Sequence, residues 1–528
     1  MGNKPPAQHV PDKPPSHHVP AQKFHLQRVP GKPFTLAMCP ADLPPLPCAG
    51  QTSRSAANIA ISQSSIPHFP QIFDCNFATN PLNLRAINVC VYGCKLVIIG
   101  GKMKADLYIR HIGQLATCKP RNPGPLVGSD LDYVEIIENG AVACLEGEIV
   151  AVGTTPELER QVSPINRAVI IDAPGKVVTP GMIDPHTHPI FAKTREDEFE
   201  MRNLGKSYME IAAAGGGIRN STRALREASK DVLYDNACKY LDRFMQYGTT
   251  TIEAKSGYGL TTADEIKQLE VIQMLTENHP IDLVPTFLGA HEIPDEYREN
   301  KTGYIDLIIN DMLPQVAERN LAVFSDIFCE KGVFEVEESE RIQTAAKEHG
   351  LHLKFHADEI VNLGGAQLAA RLGAVSADHL VYISDEGIEA MAQAGTIAVL
   401  LPGTSFYLDL KAYAPARRMI EARVPVALST DFNPGSSFTT SLQIIMTLAA
   451  NKLKMKAGEI LNAVTINSAY AILQADKIGS IEVGKRADIL VWNVSNIRQI
   501  PYNYGGNQVA VTIIGGRVVW SKDGTKKS

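Results

Sequence analysis

From Met103 onward the chain breaks into short runs rich in β-branched and apolar residues: "ADLYIRHIG", "GAVACLEGEIVAVG" and "RAVIIDAPGKVVTPG". Turn residues such as Asn139-Gly140 separate them, which predicts strands. A matching set closes the chain, "GSIEVGKRADILVWNV" and "VAVTIIGGRVVW". Strands at the two ends that lack partners of their own cover their edges by pairing with each other, predicting a small β-sandwich domain built from both ends. Residues 1 to 102 show little sustained periodicity and alternate Pro-rich patches with Ser/Ala/Gln stretches, as expected of a disordered extension.

Between the two β-rich ends runs a strand-then-helix rhythm. The strand candidates are "KVVTPGMIDPHTH", "GTTTIEAKSGYG", "DLVPTFLGAH", "VFSDIFCEKG", "LHLKFHADE", "SADHLVY", "TIAVLLPGT" and "VPVALSTDFN". Segments of helical period such as "ADEIKQLEVIQMLTE" and "SERIQTAAKEHG" separate most of them. Eight such units over about 300 residues predict an α/β fold of the (β/α)8 TIM-barrel type, with a doubly wound open sheet as the competing topology. Most of the candidate strands end in His, Asp or Glu, which favours the barrel, whose active site sits at the strand C-termini. The predicted organisation is an extension at 1–102, β-domain segments at 103–180 and 478–528, and a catalytic barrel at 181–477.

Composition sharpens this division. The 528 residues are 45% hydrophobic and 20% charged, enough for a full core and more than one domain. The formal charge of -6 gives no reason to expect nucleic acid or an anionic membrane as partner, so a small-molecule substrate is the expectation. That charge averages two unlike parts. The first 102 residues hold nine Lys or Arg, three Asp and no Glu, whereas the rest carries 42 basic and 54 acidic groups. A start at Met103, with residues 1 to 102 an upstream extension or a leader without chemistry, is the expectation. Nine cysteines at irregular spacing do not form a disulfide framework and fit a reducing cytoplasm. No run reaches the roughly 18 to 20 apolar residues that span a bilayer.

His186 and His188 stand two apart on a predicted strand, so both imidazoles project from one face. His356, His379 and Asp431 also fall at strand ends. Nitrogen donors joined by a carboxylate form a set suited to one divalent cation with a position left for water. Glu359, three residues past His356, is placed to take and return a proton. Taken singly, each has a plainer explanation. His-Thr-His fits a structural pair, Glu359 a solvated residue of a first helical turn, and Asp431 a helix N-cap.

The motifs "PGMIDPHTHPIFAKTREDEF", "YMEIAAAGGGI", "EAKSGYGL", "FHADE", "SADHL" and "STDFNPGSS", in this order, resemble the imidazolonepropionases, a family of the amidohydrolase superfamily. The resemblance covers roughly residues 103 to 528. It implies one Zn or Fe ion on His186, His188, His356 and Asp431, and hydrolysis of a ring C–N bond in 4-imidazolone-5-propanoate. Glu359 would handle the water proton, with His379 orienting or polarising nearby. Arg195 would pair with the propanoate, a task suited to a bidentate donor; without the resemblance it is an ordinary surface arginine beside Glu196, Asp197 and Glu198. Tyr258 and His291 would contact the substrate, the alternatives being a loop aromatic and a core histidine. Asn433, Gly435 and Ser436 would offer donors to the glutamate-like part of the ligand.

Gly215 to Gly217 lack the Gly-Lys-Ser/Thr ending of a phosphate loop and are expected in a flexible loop near the substrate. Lys255 occupies the kind of position where binuclear amidohydrolases carry a carboxylated lysine. The resemblance to a mononuclear family instead implies a charge supporting the ligands. Barrels of this kind commonly form homodimers. Two other functions stay open: a purine or pyrimidine deaminase using the same machinery, and a catalytically inactive barrel serving as a scaffold.

Overall fold

Eight consecutive parallel strands form one sheet in a computed structural model that describes residues 102–206, 210 and 216–524. The expectation for residues 1 to 101 lies outside those described. The non-barrel strands before the barrel are β1 (Met103–Ala116), β2 (Ile136–Leu145), β3 (Glu148–Thr154), β4 (Val162–Asp172) and β5 (Val177–Pro180). The barrel strands are β6 (Met182–Thr187), β7 (Thr249–Lys255), β8 (Asp282–Ala290), β9 (Phe324–Cys329), β10 (His352–Ala357), β11 (Ser376–His379), β12 (Ile397–Leu400) and β13 (Val426–Leu428). They pair in chain order from β6 to β13. All of β6, β7 and β11 to β13 are buried along their whole length, the signature of a parallel sheet covered on both faces.

The first and last strands are joined through side chains and a short bridge. The Asp184 carboxylate on β6 accepts hydrogen bonds from the Ser429 hydroxyl, from Thr430 N at 3.1 Å and from Thr430 Oγ1 at 2.6 Å. Thr187 pairs in parallel with Phe432, and His188 N donates to Phe432 O at 2.8 Å. This closure sets residues 186 to 188 beside Asp431 although some 240 positions separate them in the chain. Phe432 is itself locked among Tyr240, Phe244 and Phe191, with ring centroids 5.0, 5.4 and 5.8 Å away.

The run "KVVTPGMIDPHTH" is expected as one strand, but the chain divides it at Gly181. Val177–Pro180 pairs antiparallel with β14 (Ile489–Trp492), while Met182–Thr187 enters the barrel. A Cβ at position 181 would overlap the Thr250 side chain, so the glycine permits a close approach at the point where the chain changes sheets. The remaining strands, β15 (Val509–Ile514) and β16 (Arg517–Ser521), complete an eight-stranded sheet of order β16-β15-β14-β5-β1-β2-β3, with β4 also on β1. Segments that precede and follow the barrel in the chain therefore both contribute to it. Strand β1 carries a bulge between Ile109 and Ile112, and the arms on either side share one core that includes Leu107, Ile109, Val178, Ile489 and Ile513. Among the described residues no helix is long and apolar enough to cross a membrane.

Candidate active site

The C-terminal ends of the barrel strands converge on a cavity of about 750 Å3. It is lined by His188, Arg195, Tyr258, His291, His356, Glu359, His379, Asp431, Asn433, Gly435 and Ser436, while His186 lies buried behind His188. Two of these residues, His379 at φ 73° and Asp431 at φ 53°, adopt left-handed backbone. Such conformations are uncommon for side-chain-bearing residues and concentrate at functional sites.

His186 Nδ1 donates to Asp378 Oδ2 at 2.6 Å, which leaves its Nε2 as an acceptor. That Nε2 lies 3.3 Å from His188 Nε2, and both nitrogens stand 3.6 Å from Asp431 Oδ1. The other Asp431 oxygen accepts from Thr404 Oγ1 at 2.6 Å. His356 Nδ1 lies 3.0 Å from Asp326 Oδ2, so its opposite nitrogen is the one left for the cluster. Ligand atoms of His186, His188 and His356 fall within 4.8 Å of one another, as do those of His186, His379 and Asp431. Burial and the neighbouring charges hold His186 and His188 well below the ordinary histidine pKa, so both are neutral donors of electron pairs. Converging imidazole lone pairs and a carboxylate repel one another unless a cation lies among them. The donor set fits one divalent metal ion.

Glu359 follows β10 on a turn fixed from both sides. Asp358 Oδ1 accepts from Leu363 N, Gly364 N and Gly365 N at 2.9 to 3.2 Å, and Glu330 Oε2 accepts from Ile360 N at 2.9 Å. Glu359 Oε1 lies 3.4 Å from His379 Nδ1. Burial, reinforced by the charge of Asp431, pushes the Glu359 carboxyl up to about 8. Opposite it, His291 donates from Nδ1 to Gly257 O at 2.9 Å and stacks on His188 at 5.2 Å, presenting its other nitrogen to the cavity. Burial lowers His291 to about 3, keeping it neutral. Tyr258 sits 5.6 Å from His291 and 6.0 Å from His188, and burial raises its hydroxyl pKa.

Arg195 precedes helix α1 (Glu196–Asn203) and gives Nε and Nη2 to Glu198 Oε2 at 2.9 and 2.6 Å. The second Glu198 oxygen accepts from Gly217 N at 3.1 Å, which ties the described end of the Gly-rich segment to the arginine; Gly215 lies outside the described residues. Asn433, Gly435 and Ser436 line the cavity, but their expected donors are spent on one another. Asn433 Nδ2 donates to Asp431 O and Ser436 Oγ, and its Oδ1 accepts from Gly435 N and Ser436 N, all at 2.7 to 2.8 Å. Their geometry braces the Asp431 loop, the physical reason being an Asx turn that satisfies the amide locally.

Lys255 lies beneath the cluster with Nζ 2.7 Å from both Glu253 Oε1 and Asp326 Oδ2, all three buried. Burial opposes its charge, yet the two carboxylates hold its pKa above the ordinary lysine value. It is an ammonium between anions, with Asp326 passing the contact on to His356. Sequence reasoning missed four residues of this network: Asp378, Asp326, Thr404 and Glu198. Asp378 and Asp326 stand in the quoted strand ends "SADHL" and "VFSDIF", and alternation along a strand was the signal available for them.

This fold and this site define an amidohydrolase, and the model of the Amidohydrolase family matches residues 193–520. The chain belongs to the imidazolonepropionase family within that class. It is 52% identical to the imidazolonepropionase of Geobacillus sp. (strain WCH70) over 414 residues, covering 78% of this chain and 97% of the relative. The imidazolonepropionase of Brevibacillus brevis (strain 47) is 50% identical over 418 residues, 79% of this chain and 98% of the relative. Among solved structures, a zinc-bound adenosine deaminase from Xanthomonas campestris superposes with a TM-score of 0.58 at 20% identity, covering 79% of this chain and 93% of that one. A 5-methylcytosine deaminase from Klebsiella pneumoniae gives 0.61 at 15% identity, with 80% and 100% covered. These structures share the fold.

Proposed function

We propose that the chain hydrolyses the ring amide C–N bond of 4-imidazolone-5-propanoate, yielding N-formimidoyl-L-glutamate in the degradation of histidine. The observation that carries this is the shared cavity of Glu359, the His/Asp cluster and Arg195, in a chain half identical to imidazolonepropionases over nearly their whole length. His186, His188, His356 and Asp431 would hold one ion, zinc or iron. When bound, that ion acidifies water toward neutral pH and polarises a carbonyl. Glu359 takes the proton of the attacking water as its oxygen adds to the ring carbonyl carbon. The same carboxyl returns the proton to the ring nitrogen as the C–N bond breaks, so water is consumed and no ammonia leaves. His379, 3.4 Å from Glu359, orients that carboxyl and faces the carbonyl oxygen. Arg195 receives the propanoate, with Tyr258 and His291 against the ring. Asn433, Gly435 and Ser436 shape that end of the cavity. The barrel at 181–477 carries the chemistry.

The test is incubation of the metal-analysed protein with freshly generated imidazolonepropanoate. Formimidoylglutamate without ammonia is the expected result. Ammonia release from a purine or pyrimidine would assign a deaminase instead, and no turnover by fully metal-loaded protein would leave the scaffold alternative.

A further inference from the structure

Arg202, half-buried on α1, lines the same cavity as Arg195, yet the two guanidiniums differ in charge balance. Arg195 is neutralised by two contacts to Glu198. Arg202 makes no ion pair among the described residues. Its hydrogen bond there runs from Nη1 to Gly435 O at 3.0 Å, and the Tyr407 and Phe199 rings lie 5.5 and 5.9 Å from its central carbon. A guanidinium carries five N–H donors, so most of this one's capacity is unspent within the described protein.

The two arginines flank a single residue. Arg195 packs where a Gly435 side chain would stand, and Arg202 bonds the Gly435 carbonyl. An anion approaching Arg195 also meets the charge of Glu198, and the nearly neutral pair offers direction with little attraction at a distance. The neighbouring unpaired cation supplies that attraction. We propose that Arg202 is a second carboxylate-recognition residue, supplying a positive charge with no ion-pair contact among the described residues, which selects a substrate with an anionic tail while Arg195 fixes its orientation. The identity of the tail as a propanoate rests on the function proposed above; the preference for an anion does not.

The test compares Arg202→Gln with Arg202→Lys in the metal-loaded, full-length protein. Glutamine removes the charge but keeps a donor for the Gly435 carbonyl, and lysine keeps the charge. Binding of imidazole-4-propanoate and of its uncharged methyl ester is measured by calorimetry at low and high salt, beside steady-state kinetics. Arg202→Gln should weaken the acid at least about tenfold, leave the ester unchanged and flatten the salt dependence. Arg202→Lys should restore most of the acid affinity. In turnover, KM should rise with kcat nearly constant. Equal weakening of acid and ester would make Arg202 a brace for the loop and overturn the proposal, as would wild-type protein that binds both equally. Acid binding without turnover by the wild type would overturn the hydrolase function while leaving the binding comparison decisive for Arg202.

Discussion

Asp378 Oδ2 lies 2.6 Å from His186 Nδ1, and both side chains are fully buried. The carboxylate fixes the imidazole tautomer, so that Nε2 presents its lone pair toward His188 and Asp431. Ser376 Oγ steadies the other Asp378 oxygen at 2.7 Å. Asp378→Asn preserves shape but weakens this hold. Metal affinity is expected to fall by about 10- to 100-fold, the usual effect of losing such a carboxylate–histidine contact. Competition against a chelator of known affinity measures it, and unchanged affinity would refute the role.

Glu359 carries a raised pKa, and the sign of its effect on rate follows. Only the ionised carboxylate accepts a proton, so kcat/KM rises as pH climbs through the Glu359 pKa, along a limb lying above the ordinary carboxylate range and toward 8. A bound cation pulls that limb back toward lower pH. Glu359→Gln is expected to lose about 10^2- to 10^4-fold in turnover and to abolish the limb while metal content stays intact. Near-normal activity in this variant would remove Glu359 from the mechanism.

His356 should behave differently from Glu359. His356→Ala removes a nitrogen donor from the cluster and leaves Asp326 facing a cavity, so purified protein should carry much less metal. Metal analysis after dialysis checks this, and full stoichiometric zinc or iron would contradict its place as a ligand.

The legible and illegible parts of this site divide by chain separation. His-Thr-His could be read because alternation on a strand is a local rule, and Glu359 because it stands three residues beyond His356. Strand ends rich in His, Asp and Glu likewise betrayed the barrel. The contacts that hold these groups were not readable. Asp378 meets His186 across 192 positions and Gly435 meets Arg202 across 233, and only barrel closure creates either neighbour. The break at Gly181 was hidden for a similar reason, since it depends on Thr250 from another strand. Asn433 illustrates the converse: the local turn in which its side chain takes part, with Gly435 N and Ser436 N donating to Oδ1, follows from near neighbours in the chain.

Lys255 tests the buried charge network directly. Its ammonium is the partner of two buried carboxylates, Glu253 and Asp326. Lys255→Met fills similar volume but leaves both anions without their cation. Stripping one member from a buried ion network costs about 3–5 kcal/mol, because the remaining charge stays desolvated. Chemical denaturation of the metal-free protein should show that loss, avoiding the added stability that a bound ion contributes. Asp326 also contacts His356, so the holoprotein should bind its metal more weakly as well. A variant that melts like the wild type would mean that Asp326 and Glu253 protonate at little cost, and the ammonium would then have no structural role.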